Sequence, residues 1–243
     1  MRIAITRSVS PRIAECELSH IERKPIDFDR AVSQHQAYER ALASHGCTII
    51  RLPDLPDMPD SVFVEDTAII LKDVAIIARP GAQSRRGETE SVAVELKKYR
   101  KLRCIEAPAT LDGGDVLVTG QKMVAGISQR TNAAAIERLG ATPVRFRGCL
   151  HLKSAVTQLD DETLLFNPNY VDPFPNFECI AVDPSEPHGA NILRIGGALI
   201  YSASYPRTRL LLESRGYRID VVEMSELEKA EAGVTCCSLI FET

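Results

Sequence analysis

Five side chains of this 243-residue sequence have the chemistry of a cysteine-dependent site. They are Glu65, Asp66, Asp112, His151 and Cys236. A cysteine attacks as a thiolate, and a nearby histidine serves as its general acid and base. Three neighbouring carboxylates repel one another, so they stay ionised together only if a cation lies among them. Brought together, these groups would attack an electrophilic carbon that carries positive charge.

The cation that suits such a set is a planar guanidinium, because its forked N–H groups pair well with carboxylates. A metal ion is the alternative, but calcium and magnesium prefer a denser set of oxygen ligands. Zinc sites favour several Cys or His ligands, and the sequence has no Cys-x-x-Cys or His-x-x-x-His pair. A small guanidino compound is therefore the ligand that these residues suit best, with a metal ion as the alternative.

Each of these residues also has a purely structural explanation when taken alone. Cys236 stands before an apolar Ser-Leu-Ile-Phe run, as a small buried side chain does. His151 fits a buried histidine with satisfied hydrogen bonds, and Asp112 fits a turn before a Gly-Gly pair. Glu65 and Asp66 fit the end of a strand. Only a fold that brings them together favours catalysis.

A repeated order of elements predicts how those residues meet. Each repeat has the pattern of a strand, a turn, a strand, a helix and a closing strand. The repeats start near residues 65, 114, 154, 190 and 235. Pro168, Pro173 and Pro175 disfavour the helix of the third repeat, whereas the fourth has a predicted helix from Pro206 to Ser214. Such a period is typical of modules that pack against their neighbours.

The fifth repeat is complete only when the two chain ends are joined. Residues 235–241 and 2–6 are predicted strands, and a helix over 29–44 completes the unit with a closing strand over 47–52. Pairing of the terminal strands would close a ring and remove its open edges. We therefore predict an α/β fold, a five-bladed α/β propeller with residues 1–243 as a single catalytic domain. The alternative is an open α/β sheet with coincidental hairpins.

Composition limits the partners of such a domain. The sequence has 29 Lys and Arg against 33 Asp and Glu, a net charge of −4, and no basic block, so we expect no nucleic-acid partner. It has no run of 18 apolar residues, so we expect no membrane partner. Seven scattered cysteines without a recognisable signal peptide favour a reducing cytoplasm. Dinucleotide and P-loop motifs are missing, which argues against the usual nucleotide-binding folds.

Six motifs extend this interpretation over most of the chain. They are Pro59–Asp66, Arg79–Glu88, Thr110–Asp115, Gln129–Asn132, Leu150–Lys153 and Gly233–Ser238. In type and order they resemble the motifs of dimethylarginine dimethylaminohydrolases, which belong to the guanidino-group-modifying (pentein) enzymes. The resemblance implies a five-bladed α/β propeller. It also implies a hydrolase that converts asymmetric dimethylarginine and water to citrulline and dimethylamine.

The resemblance implies roles for individual residues. Cys236 matches the nucleophile, whereas Cys237 matches a neighbour that is not catalytic. His151 matches the general acid and base. Asp66 and Asp112 match the acids that hold the guanidinium, with Asp112 among the catalytic residues. Further acids expected near the substrate are Asp60 and Glu65.

The remaining substrate contacts also follow from the resemblance. Arg85 and Arg130 match residues that bind the α-carboxylate. Leu18, in a mobile lid, and Ala230 match positions that contact the α-amino end, partly through backbone carbonyls. Family members often carry Asp where Glu231 stands, which bears on substrate preference rather than on the reaction class.

The implied mechanism is covalent. The thiolate attacks the guanidinium carbon, the histidine protonates the departing dimethylamine, and the thiouronium intermediate is then hydrolysed. No cofactor is needed, and the resemblance suggests zinc only as an inhibitor at Cys236 and His151. Two alternatives stay open: an arginine deiminase-like or amidinotransferase-like enzyme using the same cysteine, and a non-catalytic guanidine-binding propeller. The oligomeric state is also open, with a homodimer as one option.

Overall fold

The structure is a computed structural model that describes residues 1–120 and 122–243. Its strands are β1 (Arg2–Thr6), β2 (Cys47–Arg51), β3 (Ala68–Ile70), β4 (Val74–Ile77), β5 (Lys101–Cys104), β6 (Val116–Thr119), β7 (Lys122–Ile127), β8 (Thr142–Arg145), β9 (Val156–Gln158), β10 (Thr163–Phe166), β11 (Glu178–Ala181), β12 (Leu193–Ile195), β13 (Ala198–Ser202), β14 (Ile219–Val222) and β15 (Leu239–Glu242). Its α-helices are α1 (Phe28–Ser44), α2 (Thr89–Leu96), α3 (Ala133–Leu139), α4 (Leu152–Ala155), α5 (Pro206–Ser214) and α6 (Ser225–Glu228). Short 3-10 helices cover Ile13–Glu15, Val64–Thr67, Gln83–Glu88 and Gly113–Asp115. Within these described ranges, no helix has both the length and the apolar character needed to cross a membrane.

The described strands form five sheets of three strands each, which confirms the predicted α/β class. In every sheet one central strand has an antiparallel neighbour on one side and a parallel neighbour on the other. The central strands are β1, β4, β7, β10 and β13. A helix connects the central strand to its parallel partner in four sheets, as a parallel crossover requires. In the β9–β11 sheet an irregular segment with Pro168, Pro173 and Pro175 takes its place, as predicted.

Both chain ends belong to one sheet. Strand β1 pairs antiparallel with β15, with Arg2 opposite Glu242 and Ile5 opposite Leu239, and it pairs parallel with β2. The predicted pairing of the terminal strands is therefore confirmed. The prediction for the C-terminal strand was wrong in its start: the strand begins at Leu239, and residues 234–237 form a turn.

Five clusters of buried apolar side chains pack each sheet against another. One cluster joins the sheet of the chain ends to the β3–β5 sheet. Two more join β3–β5 to β6–β8 and β6–β8 to β9–β11. The last two join β9–β11 to β12–β14, and β12–β14 to the sheet of the chain ends. Each sheet thus packs against two others, and the sequence of contacts returns to its starting sheet.

The polar residues at the start of the predicted repeats lie in turns, although the repeat pattern predicts strands there. Glu65 and Asp66 lie in a 3-10 helix before β3, and Asp112 precedes the 3-10 helix before β6. His151 precedes α4, and Cys236 lies in the turn before β15. A strand sends successive side chains to opposite faces. The turn before β3 likewise separates its two adjacent acids, since Asp66 lines one cavity and Glu65 another.

Candidate active site

One small cavity collects reactive side chains from distant parts of the chain. It has about 290 Å³ of space free of protein atoms. Its lining residues are Glu17, Asp60, Phe63, Asp66, Arg85, Arg130, Leu150, His151, Ala230, Glu231, Ala232 and Cys236. The thiol, the imidazole and two of the predicted acids, Asp60 and Asp66, therefore line the same cavity.

His151 lies between two carboxylates. Its Nε2 is 3.1 Å from Asp112 Oδ2, and its Nδ1 is 3.7 Å from Asp66 Oδ1. Burial by itself lowers the pKa of His151, but the charge of Asp66, the hydrogen bond to Asp112 and the charge of Asp115 outweigh it and raise the pKa to about 9. The ring is therefore an imidazolium at neutral pH and holds a proton that it can donate.

Asp66 is held on both of its oxygens. Oδ2 accepts a hydrogen bond from Arg85 Nη1 at 2.6 Å, and Oδ1 accepts one from the backbone N–H of Gly114 at 2.9 Å. Burial by itself raises the pKa of Asp66, but the positive charges of His151 and Arg85 lower it below its usual value. A Cβ on Gly114 would lie 2.7 Å from both Asp66 Oδ1 and His151 Nδ1. Only glycine fits this close approach.

Asp112 lies behind His151 rather than on the cavity wall. Its side chain is fully buried, and Oδ1 accepts the backbone N–H of Gly81 at 2.9 Å while Oδ2 faces the imidazole. This arrangement fixes the ring and favours its protonated form. The structure places Asp112 on the histidine, whereas Asp66 faces both the histidine and the cavity.

The two arginines differ in how their donors are used. All three nitrogens of Arg85 donate within the protein, to Glu88, to Asp66 and to the carbonyl oxygen of Phe63 among others. A substrate carboxylate would have to compete with these acceptors for Arg85. Arg130 is also buried, but its Nη1 has no hydrogen-bond partner among the described residues and lies 3.6 Å from Asp112.

Cys236 is partly exposed to the cavity, and its sulfur accepts a hydrogen bond from the backbone N–H of Gly233 at 3.3 Å. Burial raises the pKa of the thiol, and the charges of Glu65 and Asp66 raise it further. The neighbouring Cys237 is fully buried in the core cluster beneath α1. The two adjacent sulfurs therefore meet different surroundings, one a polar cavity and the other apolar packing.

Glu65 lies beside the turn that contains Cys236, but its side chain lines a different cavity. Its carboxylate accepts hydrogen bonds from Lys153 Nζ at 2.5 Å and Thr235 Oγ1 at 2.8 Å. Its backbone N–H donates to the carbonyl oxygen of Cys236 at 3.1 Å. Together with Lys153 and Thr235 it lines a second cavity, not the one that contains the thiol. Glu65 is thus a neighbour of the reactive group with its own charge partner.

Of the two predicted α-amino contacts, one lines the cavity and the other does not. Ala230 is buried and lines the cavity. Leu18 is half-buried and packs against the core cluster of the chain ends. Its neighbour Glu17 donates its backbone N–H to Asp60 at 3.2 Å, and burial raises the pKa of Asp60.

Comparison with known proteins connects this geometry to a family. A family model described as "Arginine deiminase" matches residues 55–192. The chain is 39% identical to N(G),N(G)-dimethylarginine dimethylaminohydrolase of Streptomyces coelicolor, over 97% of this chain and 95% of the relative. It is also 39% identical to the enzyme of that name from Pseudomonas aeruginosa, over 88% and 90%. The chain belongs to the dimethylarginine dimethylaminohydrolase family. It is a hydrolase.

Solved structures of dimethylarginine dimethylaminohydrolases superpose over almost the whole chain. The Pseudomonas aeruginosa protein, as a cysteine-to-serine mutant complexed with citrulline, gives a TM-score of 0.89 at 35% identity, with 98% of each chain covered. A histidine-to-glycine adduct with S-methyl-L-thiocitrulline gives 0.91 at 36% identity, over 99% of this chain and 100% of that chain. An amidinotransferase from Microseira wollei, at 16% identity and a TM-score of 0.84 over 97% and 92%, shares the fold.

Three residues of this dimethylarginine dimethylaminohydrolase family member support the site without having been predicted. Glu88 binds Arg85, and Lys153 binds Glu65. Asp115 accepts the backbone N–H of Leu152 at 3.0 Å and the hydroxyl of Ser128 at 2.6 Å, and burial raises its pKa to about 6. All three lie inside the quoted motifs, which was the available signal.

The described residues contain one group of three side chains spaced like metal ligands: Asp66, Asp112 and His151. These side chains already contact one another, and the protonated imidazole has no lone pair to offer a metal. Cys236 is not in this group. Inhibition by zinc at Cys236 and His151 stays a prediction.

Proposed function

We propose that this protein hydrolyses Nω-methylated arginines, converting asymmetric dimethylarginine and water to citrulline and dimethylamine. One observation carries the proposal: the Cys236 thiol, the His151 imidazolium and the Asp66 carboxylate line one cavity of about 290 Å³. A nucleophile, a proton donor and an anion in one cavity are what attack on a guanidinium carbon needs. The relatives named for this reaction, including one complexed with citrulline, support the same substrate class.

We infer a five-bladed α/β propeller that forms one catalytic domain over residues 1–243. The five sheets, their cyclic packing and the shared sheet of the chain ends support it. In such a ring, the turns before β3, β6, β9 and β15 surround one end of the centre. The far-apart catalytic residues then meet without any long insertion.

The first step is deprotonation and attack by Cys236. Burial raises the pKa of the Cys236 thiol, so the sulfur carries its proton until a cation binds beside it. A guanidinium bound beside Asp66 brings positive charge next to the sulfur, which favours the thiolate and releases the thiol proton to solvent. The sulfur then forms a bond to the guanidinium carbon. Binding by the acid also holds that carbon in register with the nucleophile.

His151 serves both later steps. Its imidazolium gives a proton to the dimethylamine nitrogen as the carbon–nitrogen bond breaks, which leaves a Cys236 thiouronium and a neutral ring. The neutral ring removes a proton from water, and the hydroxide adds to the same carbon. The carbon–sulfur bond then breaks while the hydroxyl proton passes to the sulfur, which gives citrulline and the Cys236 thiol. Asp112 and Asp66 stabilise the charged ring before the first proton transfer and after the second.

The remaining contacts orient the substrate. Arg130 binds the α-carboxylate, and its buried Nη1, which has an ion pair with Asp112 but no hydrogen-bond partner among the described residues, supports this assignment. Arg85 contributes positive charge to the same region while it holds Asp66. Leu18 and Ala230 contact the α-amino end. Asp60 and Glu65 contribute negative charge to the surroundings of the bound substrate.

All seven cysteines are unpaired, which supports a reducing compartment, and we propose the cytoplasm as the location. Seven thiols would tend to form disulfides in an oxidising compartment. A homodimer stays a prediction from the sequence.

The direct test is product analysis with a set of guanidines. The purified protein is incubated with asymmetric dimethylarginine, monomethylarginine, arginine and agmatine. We expect equal amounts of citrulline and dimethylamine from the first compound. Agmatine lacks the carboxylate that Arg130 would bind, so we expect it to react at least about tenfold less efficiently.

Each contrary result has a defined meaning. Ammonia released from unmodified arginine at higher kcat/KM would assign the protein to the deiminases, whose family model matches residues 55–192. Binding of the guanidines without turnover would support a ligand-binding propeller. Equal turnover of agmatine and asymmetric dimethylarginine would remove Arg130 from the binding site.

A further inference from the structure

Residues 17–20 form a short strap at the rim of the cavity, and Glu231 holds its C-terminal half. The backbone N–H of Ser19 donates to Glu231 Oε2 at 2.6 Å, and the backbone N–H of His20 donates to Oε1 at 2.7 Å. One carboxylate thus occupies two consecutive peptide donors from a segment more than 200 residues away. The strap has no helix or strand of its own to satisfy these donors.

The backbone of Glu231 adopts a conformation that is unusual for a residue with a Cβ atom. Glu231 has φ +58°, the one left-handed value found for a non-glycine residue in the described chain. Residues with a Cβ adopt this conformation at a cost, and glycine would adopt it freely. A glutamate in this conformation is best explained by what its carboxylate binds.

Glu231 also separates two spaces. It lines the catalytic cavity together with Glu17, and it lines a larger outer cavity together with His20. The outer cavity has about 1460 Å³ of space free of protein atoms, and Ile21, Glu22 and Lys24 also line it. Leu150, Glu231 and Ala232 line both cavities and so lie between them, and the strap adjoins this boundary with Glu17 on one side and His20 on the other.

We propose that Glu231 is a positioning residue that latches the strap closed over the catalytic cavity. Breaking its two hydrogen bonds frees Ser19 and His20 and joins the two cavities, so the substrate enters from the outer one. The closed latch also fixes the peptide group of Leu18, which lies between the anchored residues 17 and 19. The effect on catalysis rests on the proposed function, but the latch itself does not.

Hydrogen exchange measures the latch without any substrate. We would compare the amide exchange of Ser19 and His20 in the wild type, Glu231→Gln and Glu231→Gly. Glycine preserves the left-handed backbone, so a change in this variant reports the lost carboxylate and not strain. We expect exchange at both amides to accelerate by about tenfold in Glu231→Gly, with a smaller change in Glu231→Gln, which keeps one acceptor oxygen.

Glu22→Gln is the matched control, because it removes one exposed carboxylate from the neighbouring wall of the outer cavity. We expect it to leave the exchange of both amides unchanged. Unchanged protection in Glu231→Gly would overturn the latch. Equal acceleration in Glu22→Gln and Glu231→Gln would also overturn it, because general charge loss would then explain the result.

Steady-state kinetics then test the positioning role. A residue that closes the cavity without touching the reacting carbon should change KM more than kcat. We expect KM for asymmetric dimethylarginine to rise about tenfold in Glu231→Gly, with kcat within about twofold and intermediate values in Glu231→Asp. A large fall of kcat at constant KM would overturn this role. Faster exchange in a protein that turns over no guanidine would refute the proposed function and leave the latch standing.

Discussion

Two sets of carboxylates surround the catalytic cavity, and their partners separate their effects. Asp66 and Asp112 are buried and flank an imidazole whose pKa they raise. Asp60 and Glu231 accept backbone N–H groups from residues 17–20. A carboxylate beside a titrating side chain changes the pKa of that side chain. A carboxylate that accepts a backbone N–H instead fixes the position of the backbone.

The difference teaches which property each region can change. Buried charges interact strongly because little water screens them, so we expect the inner set to act on the proton that His151 holds. A peptide N–H has no second protonation state in this pH range, so the outer set acts on access and affinity. We expect inner substitutions to change rates and pH profiles, and strap substitutions to change mainly KM.

The largest effect should come from replacing Cys236, whose sulfur shares a cavity with Asp66. We expect Cys236→Ser to lose activity by roughly 1000-fold or more, because a serine hydroxyl is a far weaker nucleophile in this site. Cys237→Ser should keep most of its activity, since that sulfur lies in apolar packing. Citrulline release measures both, and the opposite ranking would show that the wrong sulfur was assigned.

The next effect concerns the carboxylate behind the imidazole. In Asp112→Asn we expect kcat/KM to fall by about 100-fold, the scale of general acid–base catalysis. The pKa of His151 should fall from about 9 toward 6.5, because the variant loses a charge and a charged hydrogen bond. The alkaline limb of the pH–rate profile should move down accordingly. Asp73→Asn, an exposed turn residue, is the control, and an equal shift there would contradict this explanation.

The same shift predicts a pH-dependent stability. The folded protein holds the His151 proton up to about pH 9, whereas the unfolded chain releases it near 6.5. Its contribution to the free energy of unfolding is therefore complete below pH 6.5 and is lost as pH rises through about 9. Denaturant unfolding between these values should show a steeper decline in the wild type than in Asp112→Asn. Parallel curves would show that the two groups are not coupled.

A smaller change tests how closely the inner elements approach. In Gly114→Ala the new methyl group meets Asp66 and His151, which must move apart. We expect a loss of about 1–3 kcal/mol in the free energy of unfolding and a clear loss of activity. Gly197→Ala is the matched control, because its Cβ would meet nothing within 4 Å. Similar losses in both variants would indicate a general effect of removing glycine.

The smallest effect should come from the base of the strap. Arg23 donates hydrogen bonds to the carbonyl oxygens of Ala14 and Cys16, which lie just before residue 17. We expect Arg23→Met to raise KM by about threefold at nearly constant kcat, as is typical for exposed polar contacts. Lys24→Met is the charge-matched control and should change KM less. A shifted pH profile in Arg23→Met would break the division between the two regions.

Regular elements could be predicted wherever their signal lies inside them. The strand Arg2–Thr6 and the helix Pro206–Ser214 were predicted at their observed bounds. The turn around Cys236 could not be predicted, because its residues favour strands and its support comes from afar. Asn191 accepts the backbone N–H of Thr235 at 3.0 Å and donates to its hydroxyl at 2.9 Å.

From the sequence by itself we could predict the five units and the pairing of the chain ends from hydrophobic periods, and the candidate reactive residues from motifs, because these signals are local. Tertiary structure alone decided that His151 holds its proton and that Arg85 donates its hydrogen bonds to Glu88 and Asp66. It also decided that Cys236, and not Cys237, faces the cavity. Protonation and exposure depend on burial and on charges brought together from distant units. No local pattern in the chain encodes those distances.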